Sequence, residues 1–233
     1  MTFRTRNNMD FYKKHKVIGV VLPQLFLGLL LYSCATYHLS NGEKFRNWFP
    51  VNDEYVIDQS ELEKNKFDIT LFTNPDSSGR KQYIFPTDLY RIADSVHKDL
   101  LVIFYFPNCG AADKEVEIAK FAEDNNIPVI LISDTYSPVR MLDLYKKHNL
   151  RNKNQYIIPT VDKHEDLNLK KKLQFIKDVK PQLHETLKDD LIFASLMIVS
   201  RDGNAEVNPL STNGFGTKPF LINWIKEKYR LTQ

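Results

Sequence analysis

Apolar residues change their spacing several times along the chain, and each change predicts an element. Two short runs, residues 66–73 (KFDITLFT) and 81–85 (KQYIF), read as strands on either side of Asn74-Pro75-Asp76-Ser77-Ser78-Gly79, which carries turn chemistry. Leu89, Ile92, Ala93 and Val96 then recur at i, i+3, i+4 and i+7, one face of an amphipathic helix. Residues 100–106 (LLVIFYF) are continuously apolar over the length of a strand, the pattern of a strand covered on both faces. Residues 109–125 predict a helix with Ile118, Phe121 and Ala122 on one stripe, and residues 127–133 (IPVILIS) a second buried strand. Ser137-Pro138 is an N-cap followed by proline at the first helical position, opening a helix that runs to His148.

Residues 165–188 repeat Leu169, Leu173, Ile176, Val179, Leu183 and Leu187 by threes and fours, with Pro181 expected to kink or divide the helix. Residues 194–200 form a strand, Asp202-Gly203 a hairpin turn, and residues 205–207 the returning strand. Thr217 is expected to cap a last helix with Leu221, Trp224 and Ile225 inward. The βαβ part forces parallel pairing with right-handed crossovers, and the hairpin adds an antiparallel edge.

Ahead of this regular part, residues 1–16 are polar and basic, and residues 17–35 (VIGVVLPQLFLGLLLYSCA) are apolar and uncharged, interrupted only by Pro23-Gln24. A basic flank followed by an apolar run is held on the cytoplasmic side while the following chain is exported. The run ends Leu31-Tyr32-Ser33-Cys34, which resembles a bacterial lipobox whose cysteine receives the lipid. Tyr32 departs from the small residue usual at that place. The alternative is an uncleaved signal-anchor helix, since about 20 apolar residues span a bilayer. Either reading puts residues 36–233 outside the cytoplasm, at a cell or outer membrane and facing the periplasm or exterior. Residues 1–34 are therefore the anchor, and residues 35–66, with Trp48 and Phe49, a polar tether.

Charge changes this picture little. The chain's net charge is +3. Residues 1–33 hold five basic groups against Asp10, so the remainder has 27 basic and 28 acidic residues. The basic excess belongs to the export signal, and nothing points to a nucleic-acid partner. A hydrophobic fraction of 42% suffices for a sizeable core in 233 residues. His164-Glu165-Asp166 is a polar triplet ahead of a helix, read as a solvated cap rather than a metal site. Lys170-Lys171-Lys172 is expected on the exposed face of its helix. No phosphate loop, dinucleotide fingerprint or Ser-His-Asp elbow is visible, and no cofactor or metal is implied.

The element order and the residues after the LVIFYF strand resemble the thioredoxin-like fold. That strand runs into Pro107-Asn108-Cys109-Gly110-Ala111-Ala112 and a helix, where thioredoxins carry Trp-Cys-Gly-Pro-Cys. Leu196-Met197-Ile198-Val199-Ser200-Arg201-Asp202-Gly203 is similar to the family's strand and Lys-Asn-Gly-type turn. The resemblance covers residues 67–231, with residues 149–193 as a helical insertion, and is closest to membrane-tethered thioredoxin-like lipoproteins of Bacteroidetes type. It implies an α/β three-layer sandwich in which Cys109 stands at the nucleophile. Asn108 stands at the tryptophan, Ala112 at the resolving cysteine and Ser195 at the cis-proline, so the active site is degenerate. Ile158-Pro159-Thr160 is a second candidate for the cis-proline. Asn108, Gly110, Ala112 and Ser195 would line the groove.

A thiol at a helix N-terminus faces unpaired N–H groups and the positive dipole end, which lowers its pKa below about 8.5. Asp113, Glu115 and Glu117 oppose this, with only Lys114 and Lys120 near in sequence. An unpaired cysteine also often just fills space. The expected function is a redox-inactive or one-cysteine binding or accessory module whose partner is a protein or a protein thiol. The alternative is a monothiol thiol–disulfide oxidoreductase. Cys34 and Cys109 then do different jobs rather than pair. Metabolic labelling with a fatty-acid analogue is expected to mark the protein, and Cys34→Ser to abolish the mark. A label that persists in that variant, or never forms, replaces the lipobox with the uncleaved anchor.

Overall fold

The computed structural model describes residues 59–75, 78–110, 112–133, 135–159, 168–183, 194–208 and 216–231. The apolar run 17–35, Cys34, Trp48-Phe49 and His164-Glu165-Asp166 lie outside the described residues. Among the described residues, no helix is long and apolar enough to cross a membrane.

The architecture is α/β, built on a mixed six-stranded sheet. The strands are β1 (Lys81–Tyr83), β2 (Leu100–Tyr105), β3 (Val129–Ser133), β4 (Gln155–Ile157), β5 (Leu196–Val199) and β6 (Ala205–Val207). The helices are α1 (Gln59–Lys64), α2 (Ile69–Thr73), α3 (Pro86–Val96), α4 (Ala112–Asp124), α5 (Pro138–Lys147), α6 (Asn168–Val179) and α7 (Lys218–Lys228). Spatial order across the sheet is β1-β4-β3-β2-β5-β6. β1, β4, β3 and β2 are parallel, whereas β5 is antiparallel to both β2 and β6.

Every residue of β2 is buried, as its unbroken apolar pattern requires. Period-2 alternation divides it between two cores. Leu101, Ile103 and Tyr105 pack with Val116, Ala119 and Ala122 of α4, Met141, Leu144 and Tyr145 of α5, and Leu221, Trp224 and Ile225 of α7. Leu100, Val102 and Phe104 pack on the opposite face with Phe72 of α2, Leu89 and Ile92 of α3, and Phe175, Ile176 and Val179 of α6. The helices thus cover both faces, and the sheet is the middle of three layers.

Several expectations are corrected. Residues 66–73 are not a strand: only Lys66 bridges, parallel to Tyr83, and residues 69–73 are the helix α2. The reason is local. The Asp68 carboxylate accepts from the Thr70 N–H at 2.9 Å and the Thr70 hydroxyl at 2.7 Å, an N-cap that starts a turn despite β-branched neighbours. Within the stretch read as tether, α1 packs on the sheet's edge. The Tyr83 N–H donates to Asn65 O at 2.7 Å, and the Glu61–Lys81 ion pair closes at 3.0 Å. The insertion is not purely helical, because β4 lies inside it and sits between β1 and β3. Pro181 does divide its helix, since α6 stops at Val179. Lys171 is not on an exposed face: it is buried, while Lys172 Nζ lies 5.4 Å from the Phe104 ring centroid.

The hairpin between β5 and β6 turns where Asp202-Gly203 predicts, with Gly203 at φ +82° and the Ser200 N–H donating to Asn204 O at 2.8 Å. One buried side chain starts the β5 strand. Asn208 Oδ1 accepts from the N–H groups of Ser195 (3.1 Å) and Leu196 (2.9 Å). Asn208→Leu is expected to strand two buried donors and lower the unfolding free energy by about 2–4 kcal/mol. The change reads as a lower urea midpoint at constant slope. An unchanged midpoint would show that β5 begins without this side chain.

Candidate functional site

In a parallel sheet, strand C-termini and helix N-termini share one end of the molecule, and the crevice outside those strand ends is where ligands bind. β2 delivers residues 106–110 and Ala112 to that end, and β3 delivers residues 135–137. The Cys109 N–H donates to Phe106 O at 3.0 Å, and the Ala112 N–H donates to Cys109 O at 3.0 Å. Cys109 therefore sits in the turn that feeds α4 and does not open the helix expected over residues 109–125, which begins at Ala112. It is half-buried and forms no disulfide among the described residues. Asn108 and Gly110, its neighbours, are exposed. A Cβ added at Gly110 would meet no atom within 4 Å, so that position faces open space.

The groove residues expected from the sequence separate into two groups. Asn108, Cys109 and Gly110 lie at the surface. Ala112 and Ser195 are buried beneath it, at 1% and 6% exposure, so they form a floor and not an open groove wall. Ala112 belongs to the core with Tyr105 and Val116. Ser195 stands one step beyond the Leu196–Ile103 pair, and its carbonyl accepts from the Phe104 N–H at 2.8 Å. The second cis-proline candidate falls away, since the Ile158–Pro159 bond is trans.

Helix α5 holds the turn from outside. Ser137 heads α5 as expected, but its hydroxyl makes no cap bond and instead donates to Asn108 Oδ1 at 3.0 Å. Arg140 Nε donates to Pro107 O at 3.4 Å. At the other end of α5, Lys147 Nζ and His148 Nε2 meet at Asp113 Oδ1, at 2.7 and 2.8 Å. The hydrogen bond from His148 and that from Lys147 hold the Asp113 carboxyl below its ordinary range.

Sequence neighbours suggested an uncompensated acidic start to α4. Tertiary partners correct this. Asp113 is paired by Lys147 and His148 from the end of α5, and Glu117 by Lys218 from α7. Glu115 pairs with Lys114 at 3.0 Å. Burial pushes the Glu115 carboxyl above its ordinary pKa, partly offset by Lys114 and by Lys172 reaching over from α6. The sequence named Ser137 and His148 only as the start and end of a helix, and Arg140, Lys147 and the burial of Glu115 were not anticipated. Only the last had a signal, since position 115 shares the inward helical stripe with Ala112, Ala119 and Ala122.

Among the described residues, no three His, Cys, Asp or Glu side chains come together as a metal would require. A crevice bounded by Glu123, Tyr145, Leu150 and Tyr156 has room for about one water, and Cys109 is not among the residues that line it. No protein-family model, curated protein or solved structure matches the chain.

Glu115 generates a pH prediction with a definite sign. Its folded pKa is raised, so between the unfolded value near 4.5 and the folded value the native state holds more protons than the unfolded state. Its contribution to stability therefore falls as pH rises through that window. Glu115→Gln is expected to gain stability relative to wild type as pH goes from about 4 to about 8. Denaturation midpoints at the two pH values decide it, and a relative loss at the higher pH would refute the assignment.

Proposed function

We propose that this chain is a membrane-tethered, extracytoplasmic thioredoxin-like protein, and that its domain is a one-cysteine binding module that offers Cys109 to a partner protein. The observation that carries the reading is the pairing of a half-buried Cys109, in the turn between the central strand and α4, with a buried alanine at the position of a second thiol. The strand order β3-β2-β5-β6, with β5 antiparallel and α7 closing the face, supports the thioredoxin-like assignment; β4 and α6 are then an insertion. The export signal and lipobox-like Cys34 support the tether.

A partner surface is also supported. The three large apolar side chains that stand exposed among the described residues are Phe85, Val139 and Phe220. Each lies at the start of a helix: Phe85 just before α3, Val139 in the first turn of α5 and Phe220 in the first turn of α7. All three helices follow strands that run in the direction of β2, so all three residues decorate the Cys109 end of the sheet.

The chemistry follows from one thiol. The Cys109 thiolate can attack a partner disulfide, forming a mixed disulfide and releasing the partner's other sulfur as a thiolate. A dithiol enzyme would then expel the partner with its resolving thiol. Ala112 has none, so release waits for an external thiol, and the same limit holds for the monothiol oxidoreductase reading. The full-length protein is expected to trap a disulfide-bearing partner as a mixed disulfide that Cys109→Ala abolishes. With dithiothreitol, it should turn over a protein disulfide at a rate far below that of an active thioredoxin. Robust multiple turnover, lost in Cys109→Ala, would move the protein from module to enzyme. Modification of Cys109 only after denaturation would remove the thiol from its function altogether.

A further inference from the structure

Two buried phenols share one hydrogen bond, and that bond uses only one of their hydrogens. Tyr105 Oη of β2 and Tyr145 Oη of α5 lie 2.5 Å apart, with one hydroxyl hydrogen between them. The other hydrogen must point elsewhere. Burial raises the pKa of both phenols, so both keep their hydrogens across the neutral range. Neither hydroxyl has a second hydrogen-bond partner among the described residues. Tyr156 of β4 repeats the pattern. Its hydroxyl accepts from Asn152 Nδ2 at 3.1 Å, burial raises its pKa, and its own hydrogen is still to be placed.

Tyr145 and Tyr156 line the same crevice, where α4, α5 and β4 meet, and they are 0% and 1% exposed. Tyr105 does not line it. The spare hydrogen of the pair is therefore met there only if Tyr105 donates to Tyr145 and Tyr145 donates into the crevice. An acceptor of hydrogens stands on the same wall. The Glu123 carboxylate, 8% exposed, takes the N–H of Arg151 at 2.9 Å on one oxygen and that of Asn152 at 3.2 Å on the other. Each carboxylate oxygen keeps a lone pair to spare. Ala119, Val129 and Leu131 make up the apolar side of the crevice and have no polar side-chain atom.

We propose that this crevice is a binding site for one water molecule, which accepts the hydroxyl hydrogens of Tyr145 and Tyr156 and donates to the Glu123 carboxylate. Size and charge select this ligand. With room for about one water, groups that line the crevice all face the same small molecule, and larger solutes do not fit. A halide would take the two hydroxyl hydrogens but would face the carboxylate. A small cation would suit the carboxylate but would face two hydroxyl hydrogens, and Arg151 Nε already lies 3.8 Å from Glu123 Oε2. Water is neutral and both accepts and donates, as this wall requires. The bound water joins α4 and α5 to β4, the strand inside the insertion. It is thus part of the packing that fixes α5, the helix whose Ser137 and Arg140 hold Asn108 and Pro107.

The test is a crystal structure of the full-length protein, at a resolution that shows ordered water, beside that of a Tyr105→Phe/Tyr145→Phe variant. Changing both phenols removes the pair without leaving either hydroxyl alone. The wild type is expected to show a water about 2.5–3.0 Å from Tyr145 Oη, with a second contact to Glu123 or Tyr156. The double variant should lose it. Oxygen-17 relaxation dispersion reads the same change in solution, as the loss of one long-lived water. Ala119→Val, which fills the crevice from its apolar side, should displace the water too and serves if the phenol variant does not fold. A crevice without a water in the wild type, or an ion in its place, overturns the proposal. So does a water that persists in the double variant, or an unchanged number of long-lived waters.

Discussion

Strand β2 has no spare face and no spare edge, and the rest of the fold follows from satisfying it. Its six residues are buried above and below, its parallel neighbour is β3, and its antiparallel neighbour is β5. A backbone so enclosed must find all its hydrogen bonds in the ladder, because no water reaches it. The apolar side chains then need a helical layer on each face, and the two core clusters are those layers. Where β2 ends, its neighbours end with it, and the chain emerges as the turn that carries Cys109. The position of the thiol is a consequence of the central strand, not of any local motif around the cysteine.

The second constraint is charge. Three acidic residues open α4 beside that thiol, and a helix N-terminus tolerates acids well. What changes their meaning is that α5, α6 and α7 each bring a lysine to them: Lys147, beside His148, then Lys172 and Lys218. Asp113 and Glu117 are partly exposed, so their pairs add little stability. Glu115 is different because it is buried, and there the loss of hydration outweighs its lysine.

The edges show how weak local signals are overruled. The run KFDITLFT has strand composition, yet Asp68 caps Thr70 and the chain coils into α2, which covers the second core with Phe72. The three residues of β4 are too few for a period to show, and their strand exists because β3 and β1 leave a slot between them. Ser137 looked like a helix cap by type and place, and it does head α5, but its hydroxyl bonds Asn108 across the fold instead.

The sequence by itself determined the elements with strong periodicity: β2, β3, α3, α4, α5, the β5–β6 hairpin and α7. It also determined their parallel and antiparallel sense, and that no second thiol stands at position 112. Those are properties of neighbours along the chain, where apolar spacing and turn residues act within a few positions. Tertiary structure alone decided which groups 29 to 101 residues away meet that cysteine's turn and the start of α4: Ser137, Arg140, Lys147, His148 and Lys218. It alone decided that Ala112 and Ser195 form a floor, that Lys171 is buried, and that β4 completes the sheet. The physical reason is that hydration and charge pairing depend on what the fold brings within a few ångströms, and a linear pattern carries no record of that distance.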